Sequence, residues 1–108
     1  MINNDNAESI GRPIIEKVIE AHGKADYQLL ARTLSSRGDK PDFESFQDGV
    51  ESLKVLGAVT NIEYLGYLKK PNEHMLLWKA QHEKGNEDIL WHLFLSDEGK
   101  TVGLLFDR

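Results

Sequence analysis

The run Glu73-His74-Met75-Leu76-Leu77-Trp78-Lys79-Ala80-Gln81-His82-Glu83-Lys84, followed by Gly85-Asn86 and then Glu87-Asp88-Ile89-Leu90-Trp91-His92-Leu93-Phe94-Leu95-Ser96, decides the fold. Its apolar residues follow a period of two, the pattern of strands with one face in a core. Gly85-Asn86 between two such runs reads as a two-residue hairpin turn. That turn would set Ala80 opposite Trp91, Trp78 opposite Leu93, His82 opposite Ile89 and Leu76 opposite Leu95, so one face carries both Trp residues among aliphatics. The opposite face carries Leu77, Lys79, Gln81, Leu90, His92 and Phe94, more apolar than a face left in water needs.

Working outward, strands are predicted at 58–69, 73–84, 87–96 and 101–107, joined by Lys70-Pro71-Asn72, Gly85-Asn86 and Asp97-Glu98-Gly99-Lys100. Connections this short imply an antiparallel meander. In the first strand Leu65-Gly66 shifts the alternation from Ile62 and Tyr64 to Leu65 and Tyr67, the mark of a bulge that bends the sheet. In the last, Val102, Leu104 and Phe106 are expected to join the Trp face, with Gly103 and Leu105 as the other register.

Upstream of Gly57 the period changes to 3.6. Ile10, Ile14, Ile15, Val18, Ile19 and His22 form one apolar helix face, with Pro13 suited to its first turn and Gly23 to its end. Asp26 is placed to cap a second helix that turns Leu29, Leu30 and Leu34 inward. Pro41 or Asp42 opens a third, in which Phe43, Phe46, Val50 and Leu53 recur at helical intervals and Gly49 marks a close packing point. Ser35 to Pro41 reads as a connector within one domain spanning 1–108, and residues 1–9 as a flexible start.

Composition narrows the function classes. The 108 residues hold no Cys, and 13 Lys and Arg stand against 18 Asp and Glu, a net charge of −5. A chain of this size supports one core, without disulfides or thiolate metal sites. The acidic balance excludes the concentrated basic footprint that nucleic-acid binding needs. The polar start Met1 to Asn6 lacks the basic and apolar segments of an export signal, and Met75-Leu76-Leu77-Trp78 is far too short to span a membrane, so a cytoplasmic location is expected.

Three helices followed by a bent four-stranded meander resemble the nuclear transport factor 2-like (cystatin-like, cone-shaped α+β) superfamily. The resemblance is carried by Ala25-Asp26-Tyr27 leading into Leu29-Leu30, the Phe43 to Leu53 helix, Trp91-His92-Leu93-Phe94-Leu95, and Asp97-Glu98-Gly99-Lys100-Thr101-Val102-Gly103-Leu104. It covers nearly the whole chain, except that relatives often place a further short strand where this chain has only Ser35 to Pro41. It implies a fold class of α+β, with three N-terminal helices packed on a curved four-stranded antiparallel meander. It also implies a pocket at the wide end of the cone, used for binding or catalysis, and a homodimer formed through the outer sheet face.

Catalysis of the ketosteroid isomerase kind needs a carboxylate base inside the cone with a proton donor at its floor. The inner strand positions hold no carboxylate: Glu83 and Asp88 lie near the hairpin tip, Asp107 near the C-terminus, and Asp26 caps a helix. His82, on the inner face, is the best general acid or base candidate. Metal binding is not expected, since His82 and His92 fall on opposite faces and His74 stands eight residues from His82, on the order of 25 Å along a strand. His22 and Asp26 have the i, i+4 spacing of a helix-end contact. Gly99-Lys100-Thr101 lacks the upstream glycine of a phosphate loop, and no G-x-S-x-G string occurs. The expectation is a non-catalytic homodimeric domain that binds a small apolar molecule or a protein partner, without cofactor. Tyr64, Tyr67, Trp78, His82 and Trp91 are the candidate ligand residues, and Leu77, Leu90, His92 and Phe94 the candidate dimer interface. The alternative is an isomerase, dehydratase or cyclase using His82 and a Tyr.

Overall fold

A computed structural model describes residues 2–34 and 41–107. In chain order it contains α1 (Ala7–Lys24), α2 (Tyr27–Thr33), α3 (Phe43–Lys54), β1 (Val59–Lys70), β2 (Glu73–His82), β3 (Ile89–Leu95) and β4 (Thr101–Asp107). The predicted connector at 35–41 lies outside the described residues except for Pro41. The fold is α+β, with three helices and an open antiparallel sheet in the order β1-β2-β3-β4.

Among the buried residues of α1, Ala7, Gly11, Ile15, Val18 and His22 follow one another at steps of three and four, with Ile19 and Ala21 buried beside them. The helix begins two turns earlier than Pro13, which therefore sits inside it. Its start is organised by Asn3, whose Oδ1 accepts from Asp5 N (2.8 Å) and Asn6 N (3.1 Å), while Asn6 Oδ1 accepts from Asn3 N (2.8 Å). Ile2 is buried. Gly23 remains helical; the left-handed terminal position falls to Ala25 (φ 53°), whose N–H reaches His22 O at 3.3 Å. Asp26 caps α2 by accepting from Leu29 N (3.1 Å), and Asp42 caps α3 by accepting from Ser45 N (2.8 Å). Both caps stand where the sequence places them.

The sheet's inner face is built in rows. Tyr64, Trp78, Trp91 and Phe106 are direct cross-strand neighbours over all four strands, with ring centroids 4.9 Å apart for Tyr64–Trp78 and 4.8 Å for Trp91–Phe106. The next row is Tyr67, Leu76, Leu93 and Leu104. Helix α1 lies over both rows. A Cβ at Gly11 would collide with Leu76 Cδ2 and touch Trp78 Cζ2 at 3.0 Å, so hydrogen alone lets the helix approach this closely. Gly49 of α3 plays the predicted packing part, its missing Cβ lying 3.2 Å from Phe106.

Two details of register differ from the sequence reading. Trp78 pairs with Trp91 and Ala80 with Ile89, two residues away from the two-residue hairpin, and 83–88 forms the connection. The cause is a competing partner: Glu83 N donates to Ala58 O (2.9 Å) and Lys84 N to Leu56 O (3.1 Å), drawing both residues toward the α3–β1 junction. A shift of two preserves parity, so every side chain keeps its predicted face. In β4 an irregularity brings Thr101 opposite Leu95, so Thr101 is buried where Val102 was expected, while Leu104 and Phe106 face inward as predicted. The predicted bulge is present between Tyr64 and Gly66, and it leaves Leu65 exposed while returning Tyr67 to the inner face.

Candidate functional site

A cavity of about 700 Å³ opens between α1, α3 and the sheet, at the end of the molecule where β1 begins and β2 ends. Ile19, Val50, Leu53 and Val59 supply apolar wall, and the rings of His22, His82 and Trp91 also line it. Glu20, Lys24, Glu51 and Lys54 also line it. Lys24 Nζ lies 2.8 Å from Glu20 Oε2, and the charge and hydrogen bond of Lys24 hold the Glu20 carboxyl below its ordinary range.

Main-chain carbonyls fix both histidines. His82 Nδ1 lies 2.9 Å from Gly57 O, and His22 Nδ1 lies 2.8 Å from Val18 O. A carbonyl only accepts, so each Nδ1 carries the proton and, in the neutral ring, each Nε2 is an acceptor. Burial pushes the pKa of His22 down, against a weaker opposing effect of its bond to Val18 O, which favours the neutral ring. His22 does not meet Asp26 as the spacing predicted; its ring packs instead at steep angles against Phe46 (4.8 Å between centroids), Trp91 (5.1 Å) and Phe106 (6.1 Å). His82 Nε2 and Trp91 Nε1 are buried with no hydrogen-bond partner. Each such group forgoes a bond it would make in water, at a cost of about 1–3 kcal/mol.

The five candidate ligand residues thus divide. His82 and Trp91 line the cavity. Trp78 is fully buried beneath Gly11, with Arg12 Cζ 5.2 Å above its ring, and Tyr64 packs on it; Trp78 Nε1 and Tyr64 Oη are also buried without partners. Burial, reinforced by the Glu8 charge, pushes the Tyr64 phenol up. Tyr67 belongs to a separate hydrogen-bonded chain at the other end of β1. Its hydroxyl lies 2.7 Å from His74 Nδ1, and His74 Nε2 lies 2.6 Å from Asp97 Oδ1. Because a carboxylate accepts, Nε2 carries the proton and Nδ1 accepts from Tyr67 in the neutral ring. His74 is only 2 % exposed, and the chain ties β1, β2 and the β3–β4 turn together. Neither this role for His74 nor the place of His22 in the cavity wall was read from the sequence, although parity with Leu76 puts His74 on the inner face.

Leu77, Leu90, His92 and Phe94 stand on the outer sheet face as predicted, each half-buried. They join a band with Met75 and the exposed Leu65, Leu68 and Leu105, while His92 Nε2 lies 3.2 Å from Asp107 Oδ2. Among the described residues no group of three or more His, Asp or Glu side chains is arranged to hold a metal ion, and no helix is long and apolar enough to cross a membrane. No protein-family model matches this sequence, and no curated protein sequence matches it.

Proposed function

We propose that this chain is a non-catalytic binding domain of the nuclear transport factor 2-like, cone-shaped type, which takes a small, mainly apolar molecule into the cavity between α1, α3 and the sheet. The observation that carries the reading is the cavity itself: about 700 Å³, within the size range of small-molecule sites, with apolar walls and a few nitrogen-bearing rings. The isomerase, dehydratase or cyclase reading has less support, because neither Tyr64 nor Tyr67, the proton donors it calls on, lines the cavity. The neutral fluorophore N-phenyl-1-naphthylamine tests the reading. It is expected to brighten on binding the wild-type protein and to brighten less with Val50→Trp, whose indole takes up part of the apolar wall; an equal response in both proteins overturns it.

The same reading makes the protein a homodimer in a cytoplasmic setting, with the outer-face band as the interface. Support comes from the row Leu68, Met75 and Phe94, which crosses three strands on that face, with Leu77, Leu90 and Leu105 beside it. Sedimentation at micromolar concentration is expected to give a dimer that Phe94→Glu weakens; a wild-type monomer removes this part of the proposal. If the dimer is absent and the band is free, a protein partner becomes the competing occupant.

A further inference from the structure

Trp91 and His82 present opposite hydrogen-bonding characters in one cavity wall. An indole N–H only donates, and His82 Nε2 only accepts while Nδ1–H serves Gly57 O. Both nitrogens are shielded from water and have no partner, in side chains only 1 % and 6 % exposed. His22, held the same way by Val18 O, adds a second acceptor-type ring to the wall. A ligand reaches the shielded nitrogens only once neighbouring side chains have turned aside, and rotamer changes of that sort are common on complex formation.

The charged groups of the cavity point to the net charge of its occupant. Two carboxylates, Glu20 and Glu51, and two ammonium groups, Lys24 and Lys54, line it, so the formal charges cancel. Lys24 is already paired with Glu20. With the cavity's own charges balanced, an ionised ligand group seated against the rings would give up its water for no net gain in charge pairing.

Resting on the binding reading above, we propose that the cavity selects a neutral apolar molecule bearing a hydroxyl or N–H that donates to His82 Nε2 and an oxygen that accepts from Trp91 Nε1–H. The ligand class is therefore neutral hydroxylated or amide-bearing ring compounds, as opposed to hydrocarbons or carboxylates of the same shape.

Competition against bound N-phenyl-1-naphthylamine tests this with naphthalene, 2-naphthol and 2-naphthoate, which share one apolar body. 2-Naphthol is expected to displace the fluorophore at concentrations roughly ten-fold below the other two, the discrimination of one satisfied buried group. It is also expected to shift the indole N–H resonance of Trp91, identified by its absence in Trp91→Phe, and to leave that of Trp78 in place. His82→Leu should remove the preference for 2-naphthol, and His82→Gln, which keeps an acceptor, should retain most of it. Should His82→Leu not fold, the indole shift in the wild-type protein decides. Tightest binding of 2-naphthoate overturns the neutral class, and equal binding of naphthalene and 2-naphthol without an indole shift overturns polar recognition, each while the cavity reading stands. Failure of the fluorophore itself to bind, or its unchanged binding to Val50→Trp, overturns the cavity reading and this inference together.

Discussion

Gly11→Ala and Gly23→Ala make the same chemical change in the same helix and should move stability in opposite directions. Both replace a helical glycine, and each gains about 1 kcal/mol of helix propensity. At Gly23 the added methyl meets nothing within 4 Å, so that gain is realised. At Gly11 it drives into Leu76 Cδ2 and against Trp78 Cζ2, both on fully buried side chains. Overpacking of this kind costs about 1–3 kcal/mol. Because the propensity gain cancels between the two variants, the overpacking cost alone separates them, and at the midpoint of its range it leaves Gly11→Ala about 1 kcal/mol below wild type. With about 4 °C of melting temperature per kcal/mol for a domain of this size, the two variants should melt roughly 4–12 °C apart. Thermal and urea unfolding followed by Trp fluorescence, at one fixed protein concentration, measures this. Adding Leu76→Ala to Gly11→Ala should cost less than the sum of the single changes, since the methyl then occupies vacated space. Equal melting temperatures for Gly11→Ala and Gly23→Ala would refute the claim that α1 rests on the sheet through a missing side chain.

Three further outcomes follow from single residues. Ala25→Gly should stabilise the protein by about 1 kcal/mol in urea unfolding, because Ala25 holds the left-handed conformation that glycine adopts freely. Tyr67→Phe leaves buried His74 Nδ1 without its donor and should cost about 1–3 kcal/mol, with a non-zero coupling to His74→Leu in a double-mutant cycle. Burial lowers the pKa of His22 below 6.5, so the unfolded chain binds the proton more readily. Stability should then be complete above that pH and fall as pH drops below it, and His22→Phe should flatten this part of the urea-midpoint profile.

Parity and capping were the legible part of the fold. Period-two alternation assigned faces for β2 and β3 even though the pairing register was two residues off, because an even slip leaves every side chain on its side. Asp26 and Asp42 were legible as caps since the chemistry is local. What escaped in the strand register was set by contacts distant in sequence, the pull of Leu56 and Ala58 on residues 83 and 84. The candidate site divides along the same line. His82 and Trp91 were found through parity, whereas Tyr67 joins His74 and Asp97 only once three strand segments have been brought side by side.

The meander has a consequence for synthesis on the ribosome. Every ladder joins strands adjacent in the chain, so the sheet needs no long loop closure and can zip locally as it emerges. The helices come first and can pack only on one another. The sheet-facing side of α1 stays wet until Trp91 and Leu93 have been made, about forty residues after the end of α3, which at about 5–20 residues per second is an interval of roughly 2–8 s. During that time the nascent chain offers an amphipathic helix to any holdase within reach, and its last third, once translated, displaces that chaperone.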